Sequence, residues 1–202
     1  MSSQTLDHVV LDPAAQDVLF RDARTANAFR DEPVTDEQVQ ALYDLVKWAP
    51  TSMNSQPLRL LLVRSDEARA RLLSHMSPGN RVKTESAPLI AVLAADTEFH
   101  ERLPQLFPHA PHAKDMFSDP ARREAAARNG AMLQAGYFIL GVRALGLAAG
   151  PMGGYNAPGL DADLLAGTTW KSIMVVNIGK PADNAWFDRL PRLEYDEVVA
   201  SA

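Results

Sequence analysis

Residues 49–57 read Ala49-Pro50-Thr51-Ser52-Met53-Asn54-Ser55-Gln56-Pro57. Proline lacks a backbone donor and disfavours helical geometry in the residue before it, so a helix that reaches Ala49 has to end there. We therefore predict a polar loop between a helix and the apolar residues that follow. Taken alone, the segment is also compatible with an ordinary polar connection.

The residues on either side of this loop have the periodicities of regular structure. Thr35 and Gln38 resemble a capping box, and apolar residues at helical spacing after them predict an amphipathic helix over residues 36–49. Beyond the loop, residues 58–63 form a short apolar run that suits a buried strand. Residues 66–76 return to a helical pattern, and residues 88–95 are a second candidate for a buried strand.

The second half of the chain contains a long helix. Prolines and two histidines within residues 104–116 predict a long exposed loop. Asp119-Pro120 then places proline at the first position of a helix that is apolar on nearly every side as far as Gly146, which favours the core or a subunit interface. Residues 170–178 predict another buried strand, and residues 191–202 are too apolar to be left loose in water. Helices alternating with three or four strands favour an α/β or α+β sheet domain.

Composition bounds the class of protein. The 202 residues are 47% hydrophobic and 22% charged, which is typical of a folded protein, and we expect a single domain over residues 1–202. A net charge of −5 without a basic run disfavours nucleic acid as a partner. Met1–Val10 lacks the pattern of a signal peptide, and the longest apolar stretches are too short to cross a bilayer. We expect a soluble cytoplasmic protein.

Several kinds of chemistry are disfavoured by the residues present. The absence of cysteine excludes a disulfide framework, a thiol nucleophile and a zinc–thiolate site. Neither G-x-G-x-x-G nor the P-loop pattern occurs, and H-E-x-x-H and G-x-S-x-G are missing too. The five histidines lack a metal-ligand spacing, so we expect no metal site, and a nicotinamide would be held without a Rossmann fingerprint.

Four separated segments and the C-terminal tail carry the most specific pattern. They are Arg24-Thr25-Ala26-Asn27-Ala28-Phe29, residues 49–57, Asn80-Arg81-Val82-Lys83, Gly150-Pro151-Met152-Gly153-Gly154-Tyr155-Asn156 and Arg189-Leu190-Pro191-Arg192-Leu193. In this order they resemble the flavin-binding set of the nitroreductase family. The resemblance implies FMN as cofactor and an α+β three-layer sandwich, with a central, mostly antiparallel sheet flanked by helices, in an intertwined homodimer that binds FMN at its interface.

The resemblance also implies a role for each segment. The first segment would hold the flavin phosphate, and the tail would return to it, through Arg24, Thr25, Asn27, Arg189 and Arg192. The third segment would place Asn80 and Lys83 at the pyrimidine edge, where a fixed ammonium stabilises the negative charge of the reduced ring.

The other two segments would complete the flavin site. In the glycine loop, which includes Pro151 and Met152, a backbone N–H of Gly153 or Gly154 would meet flavin N5. Residues 49–57 would reach the flavin from the partner subunit, with contacts from Pro50, Thr51, Ser52, Asn54 and Gln56. Two positions depart from the family pattern: Asn27 stands where a second base is usual, and Gly153 stands where many relatives have glutamate.

The sequence around these segments resembles one branch of the family, the malonic semialdehyde reductases of pyrimidine degradation. This implies reduction of 3-oxopropanoate to 3-hydroxypropanoate by NADH or NADPH, with ping-pong hydride transfer through flavin N5. Arg102, His109 and His112 are the candidates for binding the substrate carboxylate, no side chain is assigned as a catalytic residue, and water would supply the proton. A broad-specificity nitro or quinone reductase and a non-catalytic flavin-binding protein remain alternatives.

Overall fold

The structure, a computed structural model, describes residues 9–202. Most of the expectation for Met1–Val10 therefore lies outside the described residues. The elements are, in chain order, α1 (Pro13–Gln16), a π-helical turn (Asp17–Arg21), α2 (Asp36–Val46), a 3-10 turn (Ser52–Asn54), β1 (Leu58–Val63), α3 (Asp66–His75), α4 (Pro78–Glu85), β2 (Leu89–Asp96), a 3-10 turn (Phe99–Arg102), α5 (Leu103–Leu106), a 3-10 segment (Pro111–Phe117), α6 (Pro120–Ala144), β3 (Ala148–Met152), α7 (Ala157–Leu164), β4 (Trp170–Gly179) and α8 (Tyr195–Val198).

The two helix starts expected from capping residues are confirmed. The Thr35 hydroxyl accepts a hydrogen bond from the Gln38 amide at 3.3 Å, and the Gln38 side chain accepts one from the Thr35 amide at 3.0 Å. At the start of α6, the Asp119 carboxylate accepts from the amide of Arg122 at 2.7 Å, and proline occupies the first turn. Both caps bind amide donors that the first helical turn leaves free.

A single four-stranded sheet lies at the centre of the molecule. Its strand order is β1-β2-β4-β3, and every pairing is antiparallel. All eight residues of β2 are buried. Because side chains alternate along a strand, Leu89 and Ala91 join the apolar cluster beneath α2 and α6, whereas Ile90 and Val92 join the cluster beneath α3 and α7. The α+β three-layer sandwich is therefore confirmed.

Two predicted elements differ in the structure. The helix predicted over residues 36–49 ends earlier, at Val46. Lys47 and Trp48 form a turn in which the Ala49 amide donates to the carbonyl of Val46 at 3.0 Å, ahead of Pro50. Strand β1 has the predicted position, but five of its six residues are only half-buried. This follows from its place at the edge of the sheet.

The segment predicted as a long exposed loop is more ordered than expected. Residues 99–117 form short helical turns, and Phe99, Leu103 and Phe117 are buried in the main cluster. The rings of Phe99 and Phe117 pack edge to face with centroids 5.0 Å apart. These buried apolar side chains fasten the segment to the core, whereas its prolines and histidines indicated exposure.

The C-terminal residues, in contrast, are less buried than expected. Residues 186–202 are exposed throughout, although they include large apolar side chains such as Leu190, Leu193 and Tyr195. The expectation that this tail packs against something is wrong for a single chain. Within residues 9–202 no helix is both long and apolar enough to span a membrane, and no group of three candidate ligands is placed to hold a metal.

Close packing of α2 on α6 depends on one glycine. A Cβ at Gly141 would lie 2.3 Å from Val46 Cγ1 and 2.7 Å from Leu42 Cδ1. Gly136, on the same helix, would meet nothing within 4 Å.

We expect Gly141→Ala to lower the free energy of unfolding by about 1–3 kcal/mol, because a buried methyl group forces α2 away from α6. Gly136→Ala is the matched control and should raise it by about 0.5–1 kcal/mol, because alanine favours helix over glycine. Urea denaturation of both variants measures the difference. Equal stabilities would show that the helices do not need this contact.

Candidate functional site

The first of the five segments, residues 24–29, runs along the free edge of β3. The amide of Ala26 donates to the carbonyl of Ala149 at 3.0 Å, and the amide of Asn27 donates to the carbonyl of Ala185 at 3.0 Å. A Cβ at Gly150 would lie 2.6 Å from the carbonyl oxygen of Ala26. Only glycine at position 150 therefore allows the first segment to lie this close to the strand.

A cationic cavity of about 200 Å³ lies between the first segment and the tail. The Arg24 guanidinium donates to the carbonyl of Phe187 at 3.3 Å, and the Arg192 guanidinium donates to the carbonyl of Leu190 at 3.0 Å. Arg189 donates to the carbonyl of Arg21. The cavity is lined by Ala23, Arg24, Thr25, Asn27, Phe187, Asp188, Arg189, Leu190 and Arg192.

The charge of this cavity is strongly positive. None of the ion pairs found in residues 9–202 includes Arg24, Arg189 or Arg192, and Asp188 is the one acidic residue of the lining. A neutral carbonyl oxygen satisfies a guanidinium donor without cancelling its charge. The cavity therefore suits an anion that can accept several charged hydrogen bonds, such as a phosphate.

The third segment reaches the first one from α4. The Lys83 ammonium lies 3.5 Å from the side-chain oxygen of Asn27. Asn177, a fully buried residue of β4, donates to the carbonyl of Lys83 at 3.0 Å and to the hydroxyl of Thr84 at 3.3 Å. Asn177 therefore fixes the end of α4 that carries the lysine.

The third segment also contacts the glycine loop that follows β3. The carbonyl of Gly154 accepts from the Asn80 side chain and from the Ser77 amide, both at 3.0 Å. A Cβ at Gly154 would collide with the Asn80 amide at 2.6 Å, whereas Gly153 faces open space. Within the described residues, neither the Gly153 nor the Gly154 amide donates a hydrogen bond to the protein.

Two predicted residues of the glycine loop belong to β3 itself. Pro151 and Met152 pair with Val176 and Val175 of β4. The sulfur of buried Met152 accepts from the Thr84 hydroxyl at 3.7 Å. Pro151 and Met152, held by the sheet, therefore fix the point at which the glycine loop begins.

Residues 49–57 lie at the other edge of the sheet. They lead into β1, whereas the first segment flanks β3, and roughly 14 Å, three strand spacings of about 4.8 Å, separates these two outer strands. The single chain therefore does not bring Pro50, Thr51, Ser52, Asn54 and Gln56 to the cationic cavity.

The backbone of residues 49–57 is strained. Met53, Asn54 and Gln56 have φ of 54°, 50° and 44°, and they are the only non-glycine residues with positive φ in the described chain. Thr51 accepts from the Gln56 amide at 3.1 Å, and the Asn54 side chain donates to the carbonyl of Leu106 at 2.9 Å. Left-handed residues with side chains cost of order 1–3 kcal/mol each and cluster at functional sites.

The three candidates for a substrate carboxylate lie near this strained turn. Arg102, His109 and His112 are exposed on residues 99–117, the segment that Asn54 contacts, and none of them lines the cationic cavity. The His109 ring packs on Phe107 with centroids 3.9 Å apart. His112 is 94% exposed, with its ring 4.0 Å from the Asp115 carboxylate.

Two residues of the site were missed by sequence reasoning. Asn177 is a polar residue in the middle of a predicted apolar strand, which is a usable signal, because a buried amide needs partners. Arg143 lies in the last turn of α6 and donates to the carbonyl of Arg24 at 2.7 Å. An arginine near the end of a helix is common, so nothing in the sequence marked it out.

The comparisons with known proteins agree with this architecture. The sequence profile of the nitroreductase family matches residues 21–180. The chain therefore belongs to the nitroreductase family. A protein of Streptomyces griseus, described as a candidate NADH dehydrogenase/NAD(P)H nitroreductase, is 63% identical over 194 residues, which cover 96% of this chain and 98% of the relative.

Solved structures show the same fold. A candidate nitroreductase of Bacillus subtilis has a TM-score of 0.84 at 20% identity, covering 94% of this chain and 99% of the other. A candidate nitroreductase of Exiguobacterium sibiricum, solved in complex with FMN, has a TM-score of 0.83 at 18% identity, covering 96% and 99%. At these identities the similarity concerns the fold alone.

The residues at the β3 edge fit FMN. The cationic cavity, the ammonium of Lys83 and the unbonded backbone amides beside the open space at Gly153 all lie at this edge. These are the donors that a phosphate, an electron-rich ring edge and a ring nitrogen need.

We expect Asn177→Ala to lower the free energy of unfolding by about 1–3 kcal/mol, because the Lys83 carbonyl and the buried Thr84 hydroxyl both lose the donor that Asn177 supplies. Asn184→Ala removes the same group from an exposed turn and should change stability by less than about 0.5 kcal/mol. Thermal and urea denaturation of both variants test this. Two equally stable variants would mean that Asn177 does not anchor α4.

Proposed function

We propose that this protein is an FMN-dependent NAD(P)H oxidoreductase. The observation that carries the proposal is the meeting of the first segment, the third segment, the glycine loop and the tail along β3. They surround four cations that form no ion pair within residues 9–202, namely Arg24, Lys83, Arg189 and Arg192. The resemblance of these segments to a flavin site, and the family membership of the chain, support the same assignment. Residues 1–202 form one such domain, working in the cytoplasm.

Different residues would bind different parts of FMN. Arg24, Thr25, Arg189 and Arg192 hold the phosphate, with Asn27 as a neutral donor. Lys83 and Asn80 bind the pyrimidine edge, and a backbone amide of the glycine loop binds the central ring. FMN held there would supply the hydride-transfer chemistry between NADH or NADPH and the substrate. Gly153 faces open space, which would leave room for the reactants beside the glycine loop.

The working unit we propose is a homodimer. Residues 49–57 lie at the opposite sheet edge from the cationic cavity, so a complete site takes them from a second copy. A second copy would also cover apolar side chains that the single chain leaves exposed. These include Tyr43, Trp48, Met132, Leu133, Tyr137, Leu190, Leu193 and Tyr195.

The substrate we propose is malonic semialdehyde, reduced to 3-hydroxypropanoate, as in pyrimidine degradation. The resemblance to that branch of the family supports it. Exposed Arg102, His109 and His112 belong to residues 99–117, the segment that Asn54 contacts, and they would bind the substrate carboxylate once the dimer closes the site. The alkoxide takes its proton from water, since no side chain is assigned as its donor.

A second candidate is reduction of nitroarenes or quinones. The similarity to the Streptomyces griseus protein, a candidate NADH dehydrogenase/NAD(P)H nitroreductase, favours it. The flavin carries out the chemistry in both cases, so the pocket alone decides between them.

We expect the purified protein to be yellow, to bleach anaerobically with NADH or NADPH, and to regain its colour faster with 3-oxopropanoate than with a nitroarene. Stopped-flow absorbance measures both half-reactions, and an aldehyde without a carboxylate is the control for the proposed anchors. Faster reoxidation by the nitroarene would favour the second candidate. Bound flavin that neither nicotinamide reduces would leave a flavin-binding protein, and a colourless protein that takes up no FMN would overturn the proposal.

We expect two inactive variants to restore activity when mixed, because each dimer site would use both subunits. Lys83→Ala removes the ammonium, and Gln56→Ala alters residues 49–57. After unfolding and refolding together, about half of the dimers are mixed and each carries one intact site, so about a quarter of the wild-type activity returns.

Each variant refolded alone is the control, and sedimentation velocity measures the oligomeric state. A monomeric protein, or a mixture no more active than its components, would mean that both segments serve the same subunit's site.

A further inference from the structure

Arg143 connects the long core helix to the first segment. Its guanidinium donates to the carbonyl of Arg24 at 2.7 Å and to the carbonyl of Val18 at 3.5 Å. The guanidinium of Arg24 in turn donates to the carbonyl of Phe187 in the tail. A chain of contacts therefore runs from α6, through Arg143 and Arg24, to the wall of the cationic cavity.

The charge of Arg143 adds to that of the cavity. None of the ion pairs in the described part of the chain includes Arg143. Burial, and secondarily the positive charge of Arg189, lowers the pKa of the Arg143 guanidinium below its ordinary value. The C-terminal end of α6, where carbonyl dipoles converge, offsets part of this cost.

We infer that Arg143 is a positioning residue for the phosphate end of the FMN site, holding the backbone at Arg24 in place and adding a positive charge behind it. This inference rests on the function proposed above. Arg143 sits on α6, the 25-residue helix of the core, so its donors are fixed before a ligand arrives. A preorganised donor set loses less entropy on binding than one that has to be assembled.

The contacts of Arg143 lie at the phosphate end of the proposed FMN site. Arg143 touches the first segment, whereas Lys83, Asn80 and the glycine loop reach the ligand from α4 and β3. Removing Arg143 should therefore weaken the binding of FMN and spare the binding of riboflavin, which has the same ring and lacks the phosphate.

The experiment compares the dissociation constants of FMN and riboflavin, measured by flavin fluorescence on protein stripped of flavin. Reconstitution of wild-type protein with FMN first confirms that stripping leaves the fold intact. We expect Arg143→Met to weaken FMN binding about 10–100-fold, the effect of losing a charge-assisted contact, and to leave riboflavin binding within about threefold. Arg122→Met alters an exposed arginine of the same helix whose side chain makes no hydrogen bond within residues 9–202, and it should change neither affinity.

Arg143→Lys separates position from charge. Lysine keeps the charge but its single nitrogen cannot reproduce a two-pronged contact, so we expect a loss of FMN affinity about midway between wild type and Arg143→Met. Should Arg143→Met fail to fold, this variant decides the question through the same ratio of FMN to riboflavin affinity.

The outcomes distinguish the inference from the proposed function. Wild-type protein that binds no flavin, or binds FMN no better than riboflavin, would overturn the phosphate assignment itself. A wild type that prefers FMN, together with Arg143 variants that keep the full preference, would overturn the inference alone. Equal losses for both ligands would make Arg143 a structural residue without a role toward the phosphate.

Discussion

The close approach of the first segment to β3 is the constraint on which the site depends. The amide of Ala26 reaches the carbonyl of Ala149 because Gly150 leaves no Cβ in the way. Through this contact the arginine and hydroxyl of Arg24 and Thr25 meet the tail, and β4 holds the lysine of α4 nearby. The strand order places residues 49–57 at the far edge of the sheet, away from the cationic cavity of the same chain.

Much of the fold was predictable because its signals are local. Capping at Thr35 and at Asp119 is decided within four residues, and the continuous apolar run of β2 suits a strand buried on both faces. Strand β3 was not predicted, since Ala148–Met152 is short and contains glycine and proline, which usually weaken strands. It forms because β4 on one side and the first segment on the other satisfy its backbone.

The candidate site was predictable only as separate segments. Their sequences named the residue types, but which segments meet depends on strand order, a property of the whole chain. Asn177 leaves a signal as a polar residue within an apolar strand, but the sequence does not say which groups it bonds. Arg143 acts through backbone carbonyls of other residues, and its contacts leave no pattern in sequence. The exposure of residues 186–202 was unpredictable for the same reason: apolar composition says that a surface is to be covered, and not by which molecule.

The left-handed turn at Met53, Asn54 and Gln56 also limits how the protein can be redesigned. Only glycine, and to a lesser degree asparagine and aspartate, adopts this backbone conformation at low energetic cost. A side chain branched at Cβ raises that cost further. In a library randomised at these three codons, valine, isoleucine and threonine would be depleted among the variants that fold, even without selection for catalysis. Diversity is better introduced at exposed Arg102 or His112, whose backbone carries no such restriction.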